Sequence, residues 1–193
     1  MNALWIVIET VGSLLATACL LRALAHRMRL SPHNPVSQFV TAVTDWLVLP
    51  LRKLVAPNRN NDWASVVAAL LLAVVTALLY VTLSGIGRFP PLGAVLLIAL
   101  GWLIKWALHL LIGMIILQAV LSWINPHAPL APAVNQLTDP FLAPLRKVIP
   151  PVGGVDLSPL ALILIVYVAL ELLQQGIARH RERAGAGSRA VAA

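Results

Sequence analysis

Charge is scarce in this chain. Only 11% of its 193 residues are Asp, Glu, Lys or Arg, where a soluble domain carries about 25%. Acidic residues are the rarest of these: seven, against fourteen Lys and Arg, leaving a net charge of +7. A basic surplus spread over so few charged positions fits membrane-flanking charge better than a nucleic-acid-binding surface. Cysteine is almost missing. The single one, Cys19, lies in an apolar run, which excludes a disulfide framework and a thiolate metal cage. Also absent are a Cys-x-x-Cys-His for haem attachment, a phosphate-binding loop, a Ser/His/Asp triad and paired catalytic carboxylates. No enzyme, no cofactor and no nucleic-acid partner is expected. What the chain has instead is apolar sequence, 60% of it, and its solvent is lipid.

Crossing about 30 Å of hydrocarbon takes roughly 20 apolar residues in a helix. Residues 3–21, 64–83 and 157–176 fit that length, with Trp63 placed as an interfacial anchor for the second. The tract 92–124 does not. As one helix it would reach about 50 Å, and it contains Lys105 and His109. It is either one span preceded by a surface helix or two short spans. Ala16-Thr17-Ala18-Cys19 faintly resembles a processing site, but no cation precedes the apolar run and Glu9 lies within it. The first helix is therefore expected to stay in the mature protein. From residue 179 a basic stretch of Arg, His, Gly, Ala and Ser is expected to be a disordered tail.

Internal similarity is the strongest signal. Residues 31–62 align without a gap on 125–156 at an offset of 94, with twelve identities in thirty-two positions. They include Pro32/Pro126, His33/His127, Pro35/Pro129, Thr44-Asp45/Thr138-Asp139, Pro50-Leu51-Arg52-Lys53/Pro144-Leu145-Arg146-Lys147 and Asp62/Asp156. Carried outward, the offset lays apolar spans over apolar spans. The expectation is an all-α membrane protein with about four transmembrane helices in two parallel span-loop-span repeats, related by a pseudo-twofold axis along the membrane normal. The repeats cover residues 1–88 and 89–178, followed by the tail 179–193. Both loops then emerge on one face and both termini on the other. The loop face holds eight Lys or Arg against five opposite, which favours cytoplasmic loops.

Each loop carries local signals for short, interfacial amphipathic helices. Asn34 is a helix cap with Pro35 at the first position, followed by Val36, Phe39, Val40, Val43 and Leu47 at helical spacing. The second copy has Ala128 where the cap would stand. Thr44-Asp45 and Thr138-Asp139 have the chemistry of a second cap, and Pro50 and Pro144 that of a kink or stop. The cations Arg52, Lys53, Arg146 and Lys147, flanked by aliphatic residues, suit an anionic headgroup layer.

These elements resemble the YggT family of small bacterial and plastid membrane proteins. The matching pieces are the Asn-Pro entrance, the Thr-Asp-x4-Pro-Leu-Arg-Lys core, the proline after it, and the Asp-Leu-Ser-Pro opening of the last span at residues 156–159. The first copy departs from this at Asp62-Trp63-Ala64. The resemblance implies a multi-pass protein of the bacterial inner membrane with two tandem modules and no known chemistry. Relatives are linked to osmotic tolerance and ion homeostasis, to division-associated processes and to cofactor attachment in a plastid b-type cytochrome.

The candidate loop motif is therefore Asn34, Pro35, Thr44, Asp45, Pro50, Arg52, Lys53, Thr138, Asp139, Pro144, Arg146, Lys147 and Asp156, for a partner-recognition patch or for caps and headgroup ligands. His33 and His127 either share a metal or haem or are turn histidines. Glu9, Lys105 and Glu171 are ionisable groups within spans. They either pair, snorkel to the surface, or line an ion path. Gly12 and Ala16, four apart, allow close helix packing. The functional expectation is a non-enzymatic membrane scaffold or assembly factor that binds anionic lipids and an unidentified membrane protein. The alternative is a transport-related protein affecting ion balance. In a Cys19→Ala background, single cysteines replacing Ala56 and Pro150 should be labelled from the same side of the membrane; opposite accessibility would end the parallel-repeat arrangement.

Overall fold

Lipid offers no hydrogen-bond partners, so an apolar run that enters it must satisfy its own backbone as a helix. The computed structural model describes residues 3–56, 58, 61–83, 92–149 and 156–191, with side chains as far as Gly176. Among them are six helices: α1 (Ala3–Arg27), α2 (Pro35–Arg52), α3 (Trp63–Leu83), α4 (Leu92–Ile124), α5 (Ala131–Val148) and α6 (Ser158–Val191). Four are long and apolar enough to cross a membrane: α1, α3, α4 and the first part of α6, Ser158–Gly176. The remaining two, α2 and α5, are the loops. The protein is an all-helical membrane protein built as span, loop helix, span, twice.

Several local expectations are revised. The tract 92–124 is one unbroken 33-residue helix, neither two spans nor a surface helix followed by a span. It holds no proline and no polar cluster that would offer its backbone another partner. The backbone of α6 continues to Val191 through the segment assigned to a disordered tail, where Ala, Arg and Glu are good helix formers. Thr44-Asp45 and Thr138-Asp139 cap nothing, because α2 and α5 run straight through them. Pro50 lies inside α2, which ends two residues later, and α5 passes both Pro140 and Pro144. Asn34 does cap: its Oδ1 accepts from Val36 N at 2.9 Å. With Ala128 at the matching place, α5 starts at Ala131 and has no side-chain cap.

Packing within each repeat follows one plan: the two spans pair, and the loop helix lies against both. In the first repeat α1 meets α3 along small residues. Ala16 and Cys19 face Ala64, Ala68, Ala69, Ala73 and Ala77, all buried. Small side chains let backbones approach where apolar burial itself gives no drive, since lipid is equally apolar. Gly12 is one such close approach. A Cβ there would lie 2.7 Å from Thr76 Oγ1. The repeats join through α3 and α1 against α4, and through a cluster of Ala25, Leu30, Met114, Ala133 and Leu137. At the far end Trp5, Tyr80, Trp102 and Trp106 pack ring against ring, Tyr80 and Trp102 edge to face and the other pairs tilted, with centroids 5.0 to 6.2 Å apart. A closed pseudo-twofold would pack α6 on α1 as α3 packs on α4. Among the described residues no comparable α1–α6 contact exists, so the repeats are parallel but side by side rather than symmetric about an axis.

Gly12→Val should destabilise the α1–α3 pair by about 1–3 kcal/mol, the usual cost of overpacking. Thermal unfolding in detergent checks this, and Gly93→Val, with open space around it, is the control expected to change little.

Candidate functional site

The polar residues that recur in the two loops converge where each loop helix meets its spans. In the first repeat α1 contributes Arg22, α2 contributes Thr44, Asp45 and Arg52, and Asp62 stands immediately before α3. Arg22 Nη1 donates to Thr44 Oγ1 at 2.8 Å and to Asp45 Oδ1 at 2.7 Å. Its Nε lies 3.7 Å from Asp62 Oδ2. That same oxygen accepts from Arg52 Nη2 at 2.6 Å and from Ser65 Oγ at 2.9 Å. The centre of the cluster is buried and its edge open: the Asp62 side chain is 0% exposed and that of Arg22 6%, against 31% for Arg52 and 44% for Asp45. Burial alone would raise the Asp62 pKa. Hydrogen bonds from Arg52 and Ser65, with the charges of Arg52 and Arg22, outweigh it and hold the carboxyl below its ordinary value.

The second repeat builds a related cluster with different wiring. Arg146 bridges two carboxylates, donating from Nη1 to Asp139 at 2.9 Å and from Nε to Asp156 at 2.8 Å. Asp156 also accepts from Ser158 N at 2.9 Å. These hydrogen bonds, to Asp156 first, raise the Arg146 pKa. Burial works against Asp156, but bonds from Arg146 and Ser158 hold it lowered. Here the side chains are open, at 40% exposure for Arg146 and 52% for Asp139. Thr138 meets Gln118 of α4, 2.6 Å away, as Thr44 meets Arg22 of α1. The position 94 residues after Arg22 is Ile116, not Gln118. The register differs because α1 ends early: Leu30 N bonds back to Ala25 O, with Arg29 in the left-handed region at φ 55, whereas α4 continues to Ile124.

Of the expected motif residues, the structure gathers Thr44, Asp45 and Arg52, and likewise Thr138, Asp139, Arg146 and Asp156. Asn34 and Pro35 begin α2 instead, while Pro50 and Pro144 sit inside the loop helices. Both arginines of the Pro-Leu-Arg-Lys segments are occupied by carboxylates, and Lys53 and Lys147 are exposed. Arg22, Ser65 and Gln118 complete the site, and repeat comparison could not find them, since none has an identical partner at the offset of 94. His33 and His127 sit in turns, their backbone N–H groups bonded to Ser31 Oγ and Asn125 Oδ1. Among the described residues no group of three or more His, Cys, Asp or Glu could hold a metal ion. The ion pairs among the described residues do not include Glu9, Lys105 or Glu171. Lys105 precedes the loop end of α4 by about 28 Å at 1.5 Å per residue, and Glu9 precedes that of α1 by about 27 Å.

Helical spans in tandem units, each clasping a loop helix with buried or bridged ion pairs, define a class of multi-pass membrane protein built from a duplicated module. The chain belongs to the CCB3/YggT family, whose model matches residues 1–83 and 97–177. It is 33% identical over 172 residues to "Uncharacterized protein in proC 3'region" of Vibrio alginolyticus, covering 89% of this chain and 91% of that one. To "Uncharacterized protein YggT" of Escherichia coli K12 it is 33% identical over 174 residues, 87% of each chain. A Pseudomonas aeruginosa relative is 34% identical over 173 residues, 86% of this chain and 84% of its own. No solved structure matches.

The two carboxylates should behave differently. Asp62→Ala removes the buried carboxylate that Arg22 and Arg52 share and should cost about 3–5 kcal/mol, whereas Asp156→Ala, at an open site, should cost about 1 kcal/mol or less. Because the folded pKa of Asp62 lies below its unfolded value, the cluster's contribution is complete above about pH 5 and fades as pH falls below the ordinary carboxylate value, about 4. Detergent-phase unfolding from pH 7 to 3 should show that loss, and Asp62→Ala should flatten it.

Proposed function

We propose that the protein is a non-enzymatic scaffold or assembly factor of the bacterial inner membrane, presenting α2 and α5 at one face, the cytoplasmic one, to a membrane-associated complex. One observation carries this: the recurring charged residues are spent on seating the loop helices. Arg22, Arg52 and Arg146 bind carboxylates that lie on α2 and α5 or open α3 and α6. A transport route would need ionisable groups arrayed along the spans, and the ion pairs among the described residues do not include Glu9, Lys105 or Glu171. The platform so formed has two unlike outer faces. On α2 it is aromatic and aliphatic, with Phe39, Trp46 and Leu49 exposed. On α5 it is polar, with Asn135, Gln136 and Asp139 exposed.

The aromatic face of α2 and the exposed cations Lys53 and Lys147 support a seat in the headgroup layer. Replacing both lysines with Gln should lower the anionic lipid that copurifies with the protein, without loss of thermal stability. Unchanged lipid content would remove lipid binding from these residues. For the scaffold, photo-crosslinkers at Gln38 on α2 and Ala143 on α5 should capture one and the same membrane-bound partner in cells, while one at lipid-facing Leu164 should not. Ion flux through the purified protein in vesicles, abolished by Lys105→Met or Glu9→Gln, would overturn the scaffold and establish transport.

A further inference from the structure

In the first repeat α3 packs on two other spans, α1 and α4. Its counterpart α6 packs on one span, α4, and on the loop helix α5. Position by position, the difference falls on one face. Ala73 and Ala77 are fully buried in the core where α1, α3 and α4 meet. At the offset of 94 they become Tyr167, 65% exposed, and Glu171, also exposed. Small side chains that let backbones close up are replaced there by a ring and a carboxylate. Leu160 and Leu164 extend the same bare face toward the loops.

Glu171 lies in a segment apolar enough to cross a membrane, and so does Lys105 of α4. Lipid makes an unpaired charge costly in such a place. Neither side chain is in an ion pair among the described residues, and Glu171 has only a 3.4 Å bond from Gln175. Both point out of the bundle. Glu171 is turned about 100° around α6 from Leu170, which packs toward α4 with Leu162 and Val166. Lys105 stands about 60° from Leu108, which meets α6, and about 60° the other way from Trp102, which meets the α1–α3 core. They are also level. α4 runs toward the loops and α6 away from them, so Leu108 and Leu170 close the same end of the core that the two helices share. Lys105 lies one turn past Leu108 and Glu171 one residue past Leu170, a difference in height of about 3 Å.

We propose that a second copy of this chain packs on the α4–α6 face, with Lys105 of each copy paired to Glu171 of the other. A twofold axis along the membrane normal keeps equivalent residues level and sets residue i against j as j against i. One cation and one acid on neighbouring spans therefore complete two ion pairs in the dimer. That self-complementary charge favours a copy of the chain over lipid or a different protein. α6 gains, beside Tyr167 and Glu171, the second neighbouring span that α3 already has in α4. The dimer does not depend on the scaffold role.

Full-length protein should be labelled with donor or acceptor dye at a cysteine replacing Ala56, in a Cys19→Ala background, and diluted into phosphatidylethanolamine–phosphatidylglycerol vesicles. Energy transfer should exceed random proximity and fall when unlabelled copies compete. Lys105→Glu and Glu171→Lys should each lower association by at least about tenfold, since each sets like charges together. Mixed with one another, the two variants should associate as the unmodified chain does, because both pairs then match. A photo-crosslinker at Leu164 should yield a covalent dimer of this chain and not the partner captured at α2 and α5. If a reversed variant does not fold, Lys105→Gln and Glu171→Gln decide: each should weaken association severalfold, and unchanged association would overturn the dimer. Random-level transfer in the unmodified chain would overturn it too, leaving the face to lipid or another membrane protein. So would folded reversed variants that associate undiminished, or that fail to restore association when mixed.

Discussion

A carboxylate sealed between two guanidinium groups governs the first repeat. Asp62 touches Arg22 of α1 and Arg52 of α2 and stands at the start of α3, so one side chain ties all three elements of the module. Desolvating such charges is expensive, and hydrogen bonds repay part of it. Arg22 also reaches Thr44 and Asp45, and Ser65 reaches Asp62, while Asp62 Oδ1 and the Nε atoms of Arg22 and Arg52 have no hydrogen-bond partner among the described residues. The position of α2 follows from this clasp, and so does the seat of its buried face, Ser37, Val40, Thr44 and Val48.

The second repeat relaxes the same design. Its bridge, Asp139–Arg146–Asp156, stands in the open, where solvent screens it, and beside it Ile115 and Leu142 pack on Leu162, Val166 and Leu170. Duplication thus supplied two copies of one module, and Arg22 in the first against Gln118 in the second leaves two carboxylates on two guanidinium groups in one cluster and two on one in the other.

Much of the fold was legible because lipid imposes few solutions. Four apolar runs had to be helices, and the offset of 94 fixed how they repeat. Asn34 and Pro35 announced the start of α2 by ordinary capping chemistry. Local signals misled where tertiary contacts overrode them. Thr44 and Asp45 have the side chains of a cap, yet Arg22 claims them both and the helix continues. Proline at 50, 140 and 144 interrupts hydrogen bonds but does not end a helix whose inner face is already anchored by Val48, Leu137 and Leu142.

By itself the sequence determined the solvent, the module, its duplication and the residues that recur, because hydrophobic length and exact repetition are properties of the chain read in one dimension. Tertiary structure alone decided which recurring residues meet. Asp45 and Asp62 converge on Arg22 across three helices, at separations of 23 and 40 positions that no periodicity encodes. It also decided that Gln118, not Ile116, answers to Arg22, since α1 closes in a left-handed turn at Arg29 while α4 runs on to Ile124. A three-residue difference in where a helix ends rotates which side chain faces the loop, and that rotation exists only in three dimensions.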